Sequence, residues 1–186
     1  VTKPLESADD AGGADSADAG RDSGPELAVR HAARVLLVDE ADRVLLFRTH
    51  LWPGREHAFW YPVGGEVEAG ESHEQAVVRE AFEETGLAGL QLGPEIAQRR
   101  FIFHWREHVW DARERWWLAR VAHFEPVFAG MEEIEIDDFS ACRWLSLAEL
   151  SEAEAAGDVL TPRNLLSFLP GLLAGEIPSA PLVVGE

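Results

Sequence analysis

The chain has 186 residues, with 34 acidic against 16 basic side chains and a formal net charge of −18. That length suits one domain with a sizeable core, and a field of that sign excludes a general binder of nucleic acid or of anionic membranes. A single cysteine, Cys142, allows no internal disulfide and points to a reducing, cytoplasmic setting; no apolar run is long enough to span a membrane, and the first residues carry no signal-peptide pattern.

Residues 1–26 are rich in Ala, Asp, Gly and Ser and contain no aromatic residue. They carry two basic and seven acidic side chains, net −5, so −13 remains for the rest. Such a stretch buries too little apolar surface to offset its ordering entropy, and a disordered acidic tail is expected. One domain is then expected over 27–186.

From Leu27 the pattern turns β-rich. VRHAARVLLVD (29–39) and RVLLFRT (43–49) read as strands of a hairpin joined by a turn at 40–42. Residues 50–58, with Pro53 and Gly54, read as a loop. A strand at Phe59–Val63 leads to Gly64 and Gly65.

The most informative stretch follows: GEVEAGESHEQAVVREAFEETGL, Gly65 to Leu87. Gly64, Gly65 and Gly70 read as a bendable loop able to approach a ligand closely. Ser72 is a good N-cap, and Gln75 completes a capping box. The run from His73 to Thr85 lacks Gly and Pro, so a helix is expected there, with Gly86 as its left-handed C-cap. Glu80, Glu83 and Glu84 are related as i, i+3 and i+4 and share one face. Val78, Ala81 and Phe82 are expected on the opposite face, against the core. Three carboxylates on one stripe repel, and nothing in the segment neutralises all of them; a hard divalent cation with oxygen ligands would. A carboxylate cage beside a glycine loop suits metal-assisted attack by water on phosphate.

After this stretch, residues 96–105 read as a strand with Phe101, Phe103 and Trp105 on one face. Residues 106–114 read as a loop and 115–124 as the antiparallel partner. The 131–140 segment, MEEIEIDDFS, reads as an acidic loop. A short strand at 143–146 precedes a helix from about Leu147 to Ala156, capped by Ser146. A last helix is expected to start at Pro162 and to reach Leu169 or beyond. The 99–120 segment holds six arginines against three acids and four of the seven tryptophans, so it is locally positive in an acidic protein. Arginine forks bind phosphate and tryptophan offers a stacking platform. Arg100, Arg106, Arg113, Arg115 and Trp105 are therefore candidate substrate contacts.

Seven spaced positions carry a resemblance: Gly65, Glu71, Arg79, Glu80, Glu83, Glu84 and Gly86. With residue frequencies of about 5–10% each, they match by chance in at most about one sequence in 10^5, which sets aside a fortuitous acidic helix. The stretch resembles the Nudix box without a gap, and the chain is similar to the Nudix hydrolases. The preceding strand with Pro62, Gly64 and Gly65, and the later RWLSLAEL, agree with that family's order of elements. The resemblance implies an α/β/α sandwich with a mixed sheet. It implies that Glu80, Glu83 and Glu84 bind divalent metal, Mg2+ or Mn2+, that one of them serves as base, and that the carbonyl of Gly64 is a further ligand. It implies an orienting ion pair between Arg79 and Glu71. A downstream acid joins the metals in several members; Glu132, Glu133, Glu135, Asp137 and Asp138 are the candidates, with Glu135 preferred.

The activity implied is hydrolysis of a nucleoside diphosphate linked to another group, of the nucleotide-pool housekeeping type, with a small nucleotide diphosphate as substrate, no stable nucleic-acid partner and no membrane. Isopentenyl diphosphate isomerases share the fold but need a cysteine upstream of the box, which is absent. A non-catalytic nucleotide-binding or regulatory module is the alternative reading, and the intact box speaks against it. Substrate is left open. The proline of ADP-ribose-type enzymes is missing between Pro94 and Pro126, and the tyrosine of dinucleoside polyphosphate hydrolases is missing because Tyr61 is the only tyrosine. Oligomeric state is left open too.

Overall fold

The computed structural model describes residues 27–49, 58–105, 108–128 and 139–185. The expected tail at 1–26, residues 50–57 of the expected loop and residues 131–138 of the expected acidic loop lie outside the described residues, whereas Phe139 and Ser140 of that loop begin β6. Strands β1 (Ala28–Val38), β2 (Val44–Thr49), β3 (Phe59–Glu66), β4 (Glu95–Trp105), β5 (His108–Arg120), β6 (Phe139–Leu145), β7 (Val159–Leu160) and β8 (Leu182–Val183) form one mixed sheet. Its order is β6-β2-β3-β1-β5-β4-β8, with β7 beside β3. Helix α1 (His73–Thr85) covers one face. Helices α2 (Leu147–Ala155) and α3 (Leu165–Leu173) cover the other. This is the expected α/β/α sandwich.

Alternation along the central strands builds both layers. In β1, Leu36 and Val38 join Trp116, Leu118, Leu150, Leu165 and Leu169 on the α2–α3 side. Val35 and Leu37 join Phe47, Val63, Val77, Ala81 and Trp117 on the α1 side. A strand buried on both faces reads as a continuous apolar run, which is how RVLLV reads. The adjacent Trp116 and Trp117 therefore go to opposite cores, each below 4% exposure, and neither is available as a stacking platform.

Five expectations need correction. The hairpin of β1 and β2 pairs only beside its turn, Val38 with Val44; β3 inserts between the two strands beyond it. Gly64 and Gly65 lie within β3, opposite Arg34 and Ala33 of β1, rather than in a loop. The stretch 108–114 is strand, and β5 pairs in parallel with β1 from Ala28–Trp110 to Val38–Arg120. Its charges are held within the sheet: Asp111 binds Arg100 across the ladder and Arg113 along its own strand, and Glu114 binds Arg99 across the ladder. Residues 121–124 are not strand. The last helix starts at Leu165 rather than Pro162 and continues through Pro170 to Leu173. The helix that begins at Leu147 keeps its cap: Ser146 and Glu149 form a capping box.

Candidate active site

Helix α1 begins and ends where its local sequence requires. The Ser72 hydroxyl accepts from the Gln75 amide at 3.2 Å, and the Gln75 side chain accepts from the Ser72 amide at 2.8 Å. Gly86 closes the helix at φ 73°, in the left-handed region.

The orientation of α1 differs from expectation. Its buried positions are Ala76, Val77, Ala81, Glu84 and Thr85. Val78 and Phe82 are exposed, Phe82 at 58%. At 100° per residue, Glu80 and Glu84 flank the stripe that contains Val77 and Ala81. The glutamates thus border the sheet instead of pointing away from it. The backbone of β3 makes this possible. Gly65 has no side chain, and an added Cβ there would collide with the Glu80 carboxylate. The Gly64 amide donates to Glu84 Oε2 at 2.8 Å, and Glu84 is buried. Gly64 itself has φ 128°, and a Cβ on it would strike the carbonyl of Ala33.

Arg79 organises the outer carboxylates. Its Nε and Nη2 donate to the two oxygens of Glu71, both at 3.0 Å, giving the expected fork. Its Nη1 donates to Glu80 Oε1 and Glu83 Oε2, both at 2.9 Å. Nη2 also donates to the Glu66 carbonyl at 2.9 Å. Arg79 therefore partly compensates Glu80 and Glu83, but its single charge is shared with Glu71 and does not neutralise all three carboxylates of the stripe. Its hydrogen bonds hold Glu71 below the usual carboxylate range. Burial pushes the Glu80 carboxyl above its usual range, against the pull of Arg79 and Arg34.

Gly64 and Glu71 thus sit with the three glutamates at one end of β3. The Gly64 carbonyl accepts from Arg34 Nη1. Glu135 and Arg106 lie outside the described residues, and Trp105 is placed by its backbone alone, as the end of β4 opposite His108. Arg100, Arg113 and Arg115 are not brought to the glutamates by any described contact. Arg100 binds both oxygens of Asp111 at 2.7 and 2.9 Å, and Arg113 binds the same carboxylate at 2.8 Å. Asp111 is held down to about 2 by these two guanidiniums. Arg115 pairs with Glu95 and lies over the Trp117 ring at 5.0 Å. Burial pushes the Cys142 thiol up to about 12, which agrees with a packing role.

The residue that sequence reasoning missed is Arg34. Its signal is an arginine inside the otherwise apolar run from Ala32 to Val38. Glu114, between Arg113 and Arg115, was likewise read only as part of a charged loop.

The donor set fits a hard divalent cation: carboxylate oxygens of Glu80, Glu83 and Glu84, and the Gly64 carbonyl. The crowded, partly desolvated Glu80 is a group whose charge a cation would stabilise. Among the described residues no three acidic, His or Cys side chains already stand as a cage. Arg79 and the Gly64 amide hold these carboxylates instead.

The fold and this arrangement define a class. The NUDIX domain model matches residues 29–165, and the chain belongs to that family. Among solved structures, the MutT protein from Methanosarcina mazei Go1 superposes with a TM-score of 0.57 at 18% identity, covering 79% of this chain and 96% of that one. The ORF135 protein of E. coli gives 0.54 at 23% identity, covering 84% and 100%. A C. elegans Ap4A hydrolase gives 0.55 at 20% identity, covering 78% and 98%. At these identities the likeness is one of fold. No described helix is long and apolar enough to cross a membrane.

Proposed function

We propose that the protein is a divalent-metal-dependent pyrophosphohydrolase, cleaving a nucleoside diphosphate linked to another group. The observation that carries this reading is the convergence of Glu80, Glu83 and Glu84 on the glycine end of β3, with Glu71 and Arg79 beside them. Mg2+ or Mn2+, when bound, would lower the pKa of an attacking water and stabilise charge on the phosphate oxygens. Glu80, Glu83, Glu84 and the Gly64 carbonyl would hold it. Arg79, fixed by the fork to Glu71, orients Glu80 and Glu83. Gly64, fixed in β3, orients Glu84 through its amide. One of the three carboxylates accepts the proton of the water.

A cavity of about 470 Å³ lies at the opposite end of the same strand, lined by Phe59, Asp158, Val159 and Arg163 among others. Its size falls within the range of small-molecule sites. Asp158 is fixed there by Trp60 Nε1 at 2.8 Å and by Arg48. The cavity lining comes from the end of α2 and from β7, about 20 Å along β3 from Gly65, so the cavity is not taken as part of the glutamate site. Arg106, Trp105 and Glu135 remain part of the proposal as substrate and metal contacts. Arg100, Arg113 and Arg115 would reach a phosphate only by leaving Asp111 and Glu95. The same reading takes 27–186 as the catalytic unit and the cytoplasm as its location.

The test is a panel of (d)NTPs, nucleotide sugars and dinucleoside polyphosphates with Mg2+ or Mn2+, read by product identity. Release of a nucleoside monophosphate or of pyrophosphate from at least one compound is expected. Binding without turnover across the panel would favour the non-catalytic module.

A further inference from the structure

Arg34 is in the middle of β1, with its side chain only 16% exposed. A guanidinium in such a place needs partners, because an unpaired buried charge is strongly destabilising. Its Nη1 donates to the Gly64 carbonyl, and its Nε faces Glu114 Oε1 at 3.5 Å. Glu114 is itself buried and fixed by Trp116 Nε1 at 3.2 Å and Arg99 Nη1 at 3.5 Å. Glu84 and Glu80 also attract the Arg34 charge. The Gly64 amide also holds Glu84, and Arg79 also holds Glu80.

We propose that Arg34 is a positioning residue that acts as a built-in counter-cation of the glutamate site. Glu114 holds it against the Gly64 carbonyl, where it competes with a divalent cation for that oxygen and for the field of Glu80 and Glu84. The proposal rests on the metal-site reading above. Without metal, Arg34 offsets the mutual repulsion of the glutamates. A cation then enters a site that already contains positive charge, so its affinity is held down. A guanidinium that only supports the fold would affect melting and leave metal affinity alone.

The test uses the full chain and Mn2+ alone, with free Mn2+ measured by electron paramagnetic resonance well below the melting temperature and without nucleotide. Arg34→Met removes the charge and keeps much of the shape. It should bind Mn2+ more tightly by on the order of tenfold, because one like charge has left a poorly screened site. Arg34→Lys keeps the charge and should stay near the wild type. Should Arg34→Met fail to fold, Arg34→Gln gives a second reading: it removes the charge but keeps a donor for the Gly64 carbonyl, and it should also bind Mn2+ more tightly than the wild type. Unchanged affinity in the folded variants would overturn the proposal while leaving the metal site in place. A wild type that binds no Mn2+ would overturn the metal reading, and this proposal with it.

Discussion

Gly65 and Glu80 share one space: the carboxylate of the glutamate occupies the volume that a side chain on the glycine would need. Gly65→Ala should therefore push Glu80 out of position. The rate constant kcat is expected to fall by about two powers of ten, the scale for losing one preorganised charge contact. Helix content by circular dichroism should stay as in the wild type, because α1 keeps both caps.

The orientation of α1 gives a paired stability test. Val77 is fully buried and Phe82 is 58% exposed. Val77→Ala should cost about 2 kcal/mol through the cavity it leaves. Phe82→Ala should stay within about 0.5 kcal/mol, as for exposed positions generally. Urea melts of both variants check this. The reverse order would place the glutamates on the solvent side of the helix.

Ser72→Ala removes the side-chain half of the capping box and should cost about 1 kcal/mol. The loss is read from the same urea melts, with Ser72→Asp as a variant that keeps a cap.

Asp111 provides a pH-dependent test away from the glutamates. Arg100 and Arg113 lower its pKa from 3.8 to about 2. A depressed folded-state pKa contributes stability that is fully present above 3.8 and lost as pH falls toward about 2. Asp111→Asn should lower the melting temperature at neutral pH, and the difference from the wild type should shrink through that window. A difference that is constant from pH 6 to about 2 would show that the two arginines do not act on Asp111 as a charge.

Much of the site was legible because its signals are local. Ser72, Gln75 and Gly86 mark the two ends of α1 within a few residues of themselves, and the pairing of Arg79 with Glu71 was implied by the resemblance to the Nudix box. What was not legible depends on partners distant in the chain. The parallel pairing of β5 with β1 joins segments about eighty residues apart, and the charged 108–114 stretch is strand because it lies between β1 and β4. Arg34 and Glu114 are eighty residues apart as well, so neither announces the other. Val78 and Phe82 looked like core because they are apolar. The sheet instead receives Val77, Ala81 and Glu84, since the glycine backbone of β3 accommodates carboxylates. The arginines of 99–120 suggest phosphate, but Arg99, Arg100 and Arg115 are claimed by acids across the ladder and Arg113 by Asp111 on its own strand.

The central claim is that Glu80, Glu83 and Glu84 bind the divalent cation on which hydrolysis depends. The most direct measurement is turnover of a hydrolysed nucleotide by the wild type and by Glu84→Gln, with Mg2+, after EDTA, and after Mg2+ is restored. The wild type should lose activity with EDTA and regain it with Mg2+. Glu84→Gln, which keeps an oxygen for the Gly64 amide but loses the charge, should turn over slower by about two powers of ten throughout. Wild-type turnover that survives chelation, or a near-normal Glu84→Gln, would contradict the account.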